Sequence, residues 1–137
     1  MGSKKHIKAE QRKEANKQRY VARLRNCPSA PRKMRLVAGL IRGMEVNSAL
    51  QVLKHSPQAA SGYFYKLLLS AIANWQVKNE GARMEDANLY VKEVRVDGGR
   101  ILKRIQPAPQ GRAHRIRKRS NHTTIEIASK EINLNNE

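Results

Sequence analysis

The sequence predicts an α+β fold: a small three-stranded antiparallel sheet with three helices packed on one face and a long protruding β-hairpin. Three observations carry this. Segments 20–27, 89–96 and 125–128 are rich in strand formers with near-alternating apolar residues. Three apolar stripes at helical spacing lie between the first and second of these. The last two are separated by residues 98–122, which hold eight basic residues, no acidic one, and a Pro-Ala-Pro-Gln-Gly apex at 107–111.

Residues 1–18 contain little apolar material, Ile7, Ala9 and Ala15 after the initial Met, and cannot offset their own ordering entropy. They read as a basic N-terminal extension, disordered or ordered by RNA, in which a helix over 9–17 needs a partner. Residues 20–27 alternate, with Val21, Arg23 and Arg25 on one side and Ala22 and Leu24 on the other, giving a strand with a basic outer face. Ser29 can cap the first body helix and Pro31 suits its first turn. Met34, Val37, Leu40 and Ile41 form its stripe, and Gly43 stands where a C-terminal cap belongs. Arg32, Lys33 and Arg35 crowd its first turns, against the helix dipole. Stability alone would not favour that placement, so these residues and Arg42 are candidate binding groups.

Val46, Ala49, Leu50 and Leu53 make a short second helix, with Asn47 or Ser48 near its cap. Ser56 and Pro57 open a third, running to about Asn79. Ala60, Phe64, Leu67, Leu68, Ala71, Ile72 and Trp75 share one broad face, which Tyr63, Leu69 and Ala73 widen. This is the expected core helix, and its aromatics read as packing rather than base stacking. In 89–96 the alternation changes phase, from Leu89 and Val91 to Val94 and Val96, predicting a bulge near Lys92 and Glu93. Residues 19–129 are expected to form a single domain, with 98–122 as its extended basic hairpin and 130–137 as a polar tail.

The net charge is +17, unevenly spread: +10 over residues 1–35, +1 over 36–97, +8 over 98–122 and −2 over 123–137. A solvated face would mix its signs, and residues 98–122 do not. Such a run cannot be buried unpaired and repels itself in water, so it makes sense against a polyanion, of which nucleic acid is the densest common one. Arg outnumbers Lys on the returning arm, where a guanidinium can fork onto phosphate oxygens and stack on a base. Ile101, Lys103 and Ile105 share one face of the outgoing arm, while Arg115, Arg117 and Arg119 alternate with Ile116 and Lys118 on the other. The arms form a two-stranded ribbon that is marginal by itself in water.

Other classes fit less well. A metal-free ribonuclease would use His114 and His122 as base and acid beside Lys118, a pairing whose separation the sequence does not fix. A metal-dependent nuclease needs clustered carboxylates, and Glu85, Asp86, Glu93 and Asp97 read instead as strand-edge and loop charges. The four His and single Cys have no zinc spacing, and no glycine loop suited to a nucleotide is present, so no cofactor is expected. A free nucleoid or RNA-chaperone protein remains a rival that would bind many nucleic acids alike. Cys27, the only cysteine, permits no intrachain disulfide and suits a reducing compartment. No apolar run approaches the ~20 residues that span a bilayer, so no membrane partner is expected. The N-terminus lacks the apolar stretch of a secretory signal, and Glu10 and Glu14 argue against a mitochondrial presequence.

Three stretches carry a resemblance: residues 30–43, Ala-Pro-Arg-Lys-Met-Arg-Leu-Val-Ala-Gly-Leu-Ile-Arg-Gly; residues 69–74, Leu-Ser-Ala-Ile-Ala-Asn; and residues 111–120, Gly-Arg-Ala-His-Arg-Ile-Arg-Lys-Arg-Ser. Together they resemble the bacterial large-subunit ribosomal protein family numbered twenty-two, over residues 20–128. The resemblance implies no enzyme activity. It implies a structural constituent of the large ribosomal subunit in the cytoplasm, which binds ribosomal RNA, touches neighbouring ribosomal proteins and assists assembly. It implies a hairpin whose tip lines the exit tunnel and meets the nascent polypeptide.

Carried over by position, the tip and its approaches are Leu102, Lys103, Arg104, Pro107, Ala108, Pro109, Gln110, Gly111 and Arg112. RNA contacts on the ribbon are Arg100, Lys103, Arg104, Arg112, His114, Arg115, Arg117, Lys118 and Arg119. On the body they are Arg23, Arg25, Arg32, Lys33, Arg35 and Arg42. Members usually carry further basic residues around the apex, where this chain has Gln106, Ala108 and Gln110, and Pro109 stiffens the turn. Residues 1–18 extend beyond the family's common start.

Overall fold

The computed structural model describes residues 3–82 and 87–129. The expected tail at 130–137 lies outside them, as do Glu85 and Asp86. Four helices and three strands follow in the order α1 (Lys4–Lys17), β1 (Tyr20–Cys27), α2 (Pro31–Ile41), α3 (Val46–His55), α4 (Ala59–Lys78), β2 (Leu89–Pro107) and β3 (Ala113–Ser129). The sheet order is β1-β3-β2, and both pairings are antiparallel. The predicted α+β class and sheet are as expected. The additional helix is α1, which buries none of its residues and so adds nothing to the core.

The core lies between one face of the sheet and helices α2 to α4. Val91, Val94, Ile125 and Ile127 meet Met34, Ile41, Phe64 and Leu68, all essentially without solvent contact. The phase change in β2 is a bulge between Val91 and Glu93, which keeps Leu89, Val91, Val94 and Val96 all facing inward.

Several side chains differ from expectation. In α2, Leu40 is half exposed and Ala38 is buried in its place, because the helix turns a narrower face to β2. In α4, Tyr63, Leu69 and Ala73 face solvent, while Ser61 and, in part, Tyr65 join the seven core residues on the buried side. The helix starts also shift. The N-cap positions are Ala30, Glu45 and Gln58, none with a side-chain cap bond, instead of Ser29, Asn47 or Ser48, and Ser56. Pro31 does occupy the first turn of α2, and Gly43 follows the helix at φ +76°, where a side chain would be strained.

The outer edge of β2 is closed by residues from α2 and the turn after it. Gly43 N–H donates to the Val91 carbonyl at 2.8 Å, and Val91 N–H returns a bond to the Met44 carbonyl at 2.9 Å. Arg42 Nη2 donates to the Val94 carbonyl at 2.9 Å, and Arg35 Nε and Nη2 donate to that of Val96 at 3.3 and 3.1 Å. An edge strand that would otherwise invite pairing with another chain is thereby occupied.

Candidate nucleic-acid interface

Beyond the body, β2 and β3 continue as a two-stranded ribbon paired from Ile101–Arg119 to Pro107–Ala113. Seven residues per arm at ~3.3 Å each make it roughly 20 Å long. Its root is a second bulge, between Gly98 and Ile101. Gly99 packs so closely there that a Cβ would lie 2.7 Å from Ser120 Oγ and 3.2 Å from the Ser120 carbonyl carbon. Ser120 Oγ donates to the Arg100 carbonyl at 2.6 Å. Asn121, fully buried, donates through Nδ2 to the Ser29 carbonyl at 2.7 Å and accepts at Oδ1 from Thr123 Oγ1 at 2.9 Å. The root is thus held by specific bonds, while the ribbon above it has no body to rest on.

Cross-strand register sorts the ribbon side chains into two faces. Ile101, Lys103 and Ile105 share one with Arg119, Arg117 and Arg115, their direct partners. Leu102, Arg104 and Gln106 share the other with Lys118, Ile116 and His114. Each of the five rungs from Ile101–Arg119 to Ile105–Arg115 holds at least one Arg or Lys, so cations project from both faces. Among the described residues, none of the ribbon's Arg or Lys side chains forms an ion pair. Arg104 donates only to the neighbouring Lys103 carbonyl, at 2.8 Å.

The apex is a single tight turn at Pro109–Gly111, closed by Ala108 N–H donating to the Arg112 carbonyl at 2.8 Å. Gln110 (φ 64°) and Gly111 (φ 71°) both take the left-handed conformation, which costs the glutamine and not the glycine. From Ile105 to Gly111 no side chain is charged.

The body's basic residues fall into two groups. Arg23 and Arg25 are exposed on β1, lining a shallow depression with Asn26, His122 and Thr124. A second depression joins Asn26 and Pro28 to Arg100, Lys118 and Arg119, so β1 and the ribbon root present adjoining cations. Arg32 and Lys33 are exposed in the first turn of α2. Arg35 and Arg42, expected at a binding surface, are engaged with β2 carbonyls. Their remaining guanidinium donors are all they could offer a partner.

The two histidines weighed as a catalytic pair are eight residues apart on the extended strand β3. That separation is roughly 27 Å, far beyond hydrogen-bond reach of one substrate atom. His122 Nδ1 also accepts the Asn26 N–H at 3.0 Å. Among the described residues no group of three or more His, Cys, Asp or Glu could hold a metal ion, and no helix is long and apolar enough to cross a membrane.

One charged cluster was not anticipated. Glu126, buried on β3, accepts from Arg19 Nε at 2.9 Å and from Arg19 Nη2, and from Lys92 Nζ at 3.3 Å. Burial pushes its carboxyl up, but the bonds from Arg19 and Lys92 and their charges outweigh this and hold it below the usual carboxylate range. The same carboxylate raises the Arg19 pKa. The available signal was a lone acid between Ile125 and Ile127, which alternation places on the face away from the helices. That Arg19 would cover it was not visible in the sequence.

A small α+β body bearing a cationic ribbon with cations on both faces has the form of a structural or binding protein. The family model for ribosomal protein L22p/L17e matches residues 22–128, and the chain belongs to that family. It is 61% identical over 129 residues to the large ribosomal subunit protein uL22 of Christiangramia forsetii, covering 94% of this chain and 96% of that one. The protein of the same name from Porphyromonas gingivalis is 61% identical over 127 residues, covering 93% and 94%. That of Bacteroides fragilis is 59% identical over 133 residues, 97% of each chain. The last alignment takes in most of α1, which the family model leaves out. The role of the chain is therefore that of a structural ribosomal protein, not an enzyme.

Proposed function

We propose that this chain is built into the large ribosomal subunit in the cytoplasm by binding ribosomal RNA, chiefly through its ribbon, and that the apex of the ribbon lines the nascent-peptide exit tunnel. The observation that carries the reading is a two-stranded ribbon bearing cations on both faces, with no acid to pair them. A ribbon this polar gains nothing by folding back on its own body and is ordered best between RNA segments. Arg100, Lys118 and Arg119 at the root, Lys103, Arg104, Arg115 and Arg117 along the arms, and Arg112 and His114 near the tip contact phosphate or stack on bases. Arg23, Arg25, Arg32 and Lys33 extend the contact over the body, with Arg35 and Arg42 in a lesser part. Such contacts fix position and recognise shape more than sequence. Residues 19–129 act as one domain, assisting assembly by holding RNA segments together, and neighbouring subunit proteins meet the body.

The uncharged apex suits a different neighbour. A surface past which varied polypeptides slide should neither grip phosphate nor bind charged side chains, and residues 105–111 offer Ile, Gln, Pro, Ala, Pro, Gln and Gly. Pro109 and the tight turn keep it stiff.

Three measurements test the reading. The protein should remain with large subunits through high-salt washing, and crosslinks from the ribbon should map to ribosomal RNA. About six phosphate contacts from the ribbon should contribute roughly −4 to the salt slope of RNA binding, and R115Q/R117Q/R119Q should flatten it by about 2. Free protein in growing cells, or an unchanged slope, would overturn it.

A further inference from the structure

We infer that α1 is a second RNA-docking element, engaging phosphates through Lys4, Lys5, Lys8 and Arg12 at the end of the sheet opposite the ribbon. The inference rests on the RNA-binding role proposed above and extends it to a segment that the family model leaves out.

A helix of fourteen residues without one buried side chain takes no support from the body along its length. Isolated helices of that size are marginal in water. The arrangement of charge makes matters worse for the free chain. Lys4 with Lys8, Lys8 with Arg12, and Lys13 with Lys17 are like charges four residues apart. The first turn contains no acid, so Lys4 and Lys5 sit unrelieved at the positive end of the helix dipole.

The charges are nevertheless sorted. At about 100° per residue, Lys4, Lys5, Lys8 and Arg12 fall within roughly a third of the circumference, while Glu10 and Glu14 lie on the far side. Lys13 and Lys17 stand three residues beyond those acids, at the spacing of neighbouring side chains, and Glu10 also meets His6 at 3.4 Å. The result is one unrelieved cationic face. It has no aromatic, Met or aliphatic anchor; Ile7 lies with the acids. Protein interfaces are depleted in Lys and built around such anchors. Charge complementarity and the absence of an anchor together select a phosphate backbone over an acidic protein.

Only the base of the helix is fixed. Lys78 Nζ donates to the Lys17 carbonyl at 2.9 Å and the Arg19 carbonyl at 2.7 Å, and Arg19 is held by Glu126. This anchor adjoins Tyr20, which pairs with Ile127, whereas the ribbon leaves the body at Asn121. The two cationic arms therefore start from opposite ends of β3 and reach different RNA segments.

The test uses full-length K4Q/K5Q/K8Q/R12Q against protein-free large-subunit ribosomal RNA. Glutamine preserves helix propensity, and no core contact is touched, so the thermal melt of the body should be unchanged. The salt slope should flatten by about 3 for four lost contacts, equal to a roughly fifty-fold difference across a fourfold change in salt. In the unsubstituted protein, backbone amides 4–17 should exchange fast when free and slowly with RNA. An unchanged slope, or no slowing on RNA, overturns the inference. Slowing that occurs in the assembled subunit but not on bare RNA would assign the helix to a protein neighbour and overturn it too. The R115Q/R117Q/R119Q variant separates the two claims: if it loses slope and the helix variant does not, only the inference about α1 falls, and if neither does, the ribbon reading falls with it.

Discussion

Lys103 and Arg117 face each other directly across the ribbon, two cations on one rung, and neither is in an ion pair among the described residues. Like charges directly opposite in an antiparallel pair destabilise it. The neighbouring rungs on that face, Ile101–Arg119 and Ile105–Arg115, each place a cation against an exposed aliphatic side chain. A ribbon selected for its own stability would alternate signs instead. Here stability in isolation is given up for charge density, as the proposed binding to RNA requires.

Lys103→Glu separates these two demands. The new carboxylate would face Arg117 and should stabilise the free ribbon by about 0.5–1 kcal/mol, seen as slower amide exchange in the arms. RNA affinity at low salt should fall about tenfold, since one phosphate contact is lost and a repulsive charge gained. Slower exchange together with unchanged affinity would show that this rung does not meet RNA.

Glu126 makes a prediction in pH. Its carboxyl is held below its usual range by Arg19 and Lys92, so its contribution to stability is full above the unfolded carboxylate pKa. That contribution is lost as pH falls through the lower folded value, where the proton removes the charge that both cations bind. Glu126→Gln should cost about 1–2 kcal/mol at pH 7, discounted because Arg19 and Lys92 are partly exposed. Urea titrations should show the gap between the two proteins closing as the medium is acidified below the carboxylate range. A gap that stays constant with pH would mean Glu126 is not ionised in the folded protein.

The elements most legible in the sequence are those whose pattern answers to a single contact surface. Leu89, Val91, Val94 and Val96 announced both β2 and its bulge, since only an inserted residue keeps all four facing one core. The ribbon was legible because a long acid-free run has few other uses. Legibility failed where the pattern fits more than one surface. Tyr63, Leu69 and Ala73 look like core residues, yet the chain has only enough sheet to cover one face of α4. Arg35 and Arg42 were read for RNA contact alone, and the bonds they also give to carbonyls at the β2 edge were not foreseen. Charge shows that a residue wants a partner but does not reveal whether the partner is phosphate or the chain's own carbonyl. For α1 the composition pointed to a segment short of support, and the helix it forms is held only at its base.

Removing the ribbon should spare the body. Residues 101–119 contribute no buried side chain, and every apolar core residue lies at or before Val96 or at and after Ile125. Deleting residues 102–114 would leave the root bonds of Ser120 and Asn121 in place, with 115–118 free to close a short turn beside the Ile101–Arg119 rung. The circular dichroism melt should therefore shift by only a few degrees, within the ~1 kcal/mol expected where no core contact is changed. RNA binding should weaken and lose about 2 in salt slope, because Lys103, Arg104 and Arg112 are gone while Arg115, Arg117, Lys118 and Arg119 remain near the root. Global unfolding of the deleted protein would mean that the ribbon supports the fold, and that its cations have a structural task the body cannot do without.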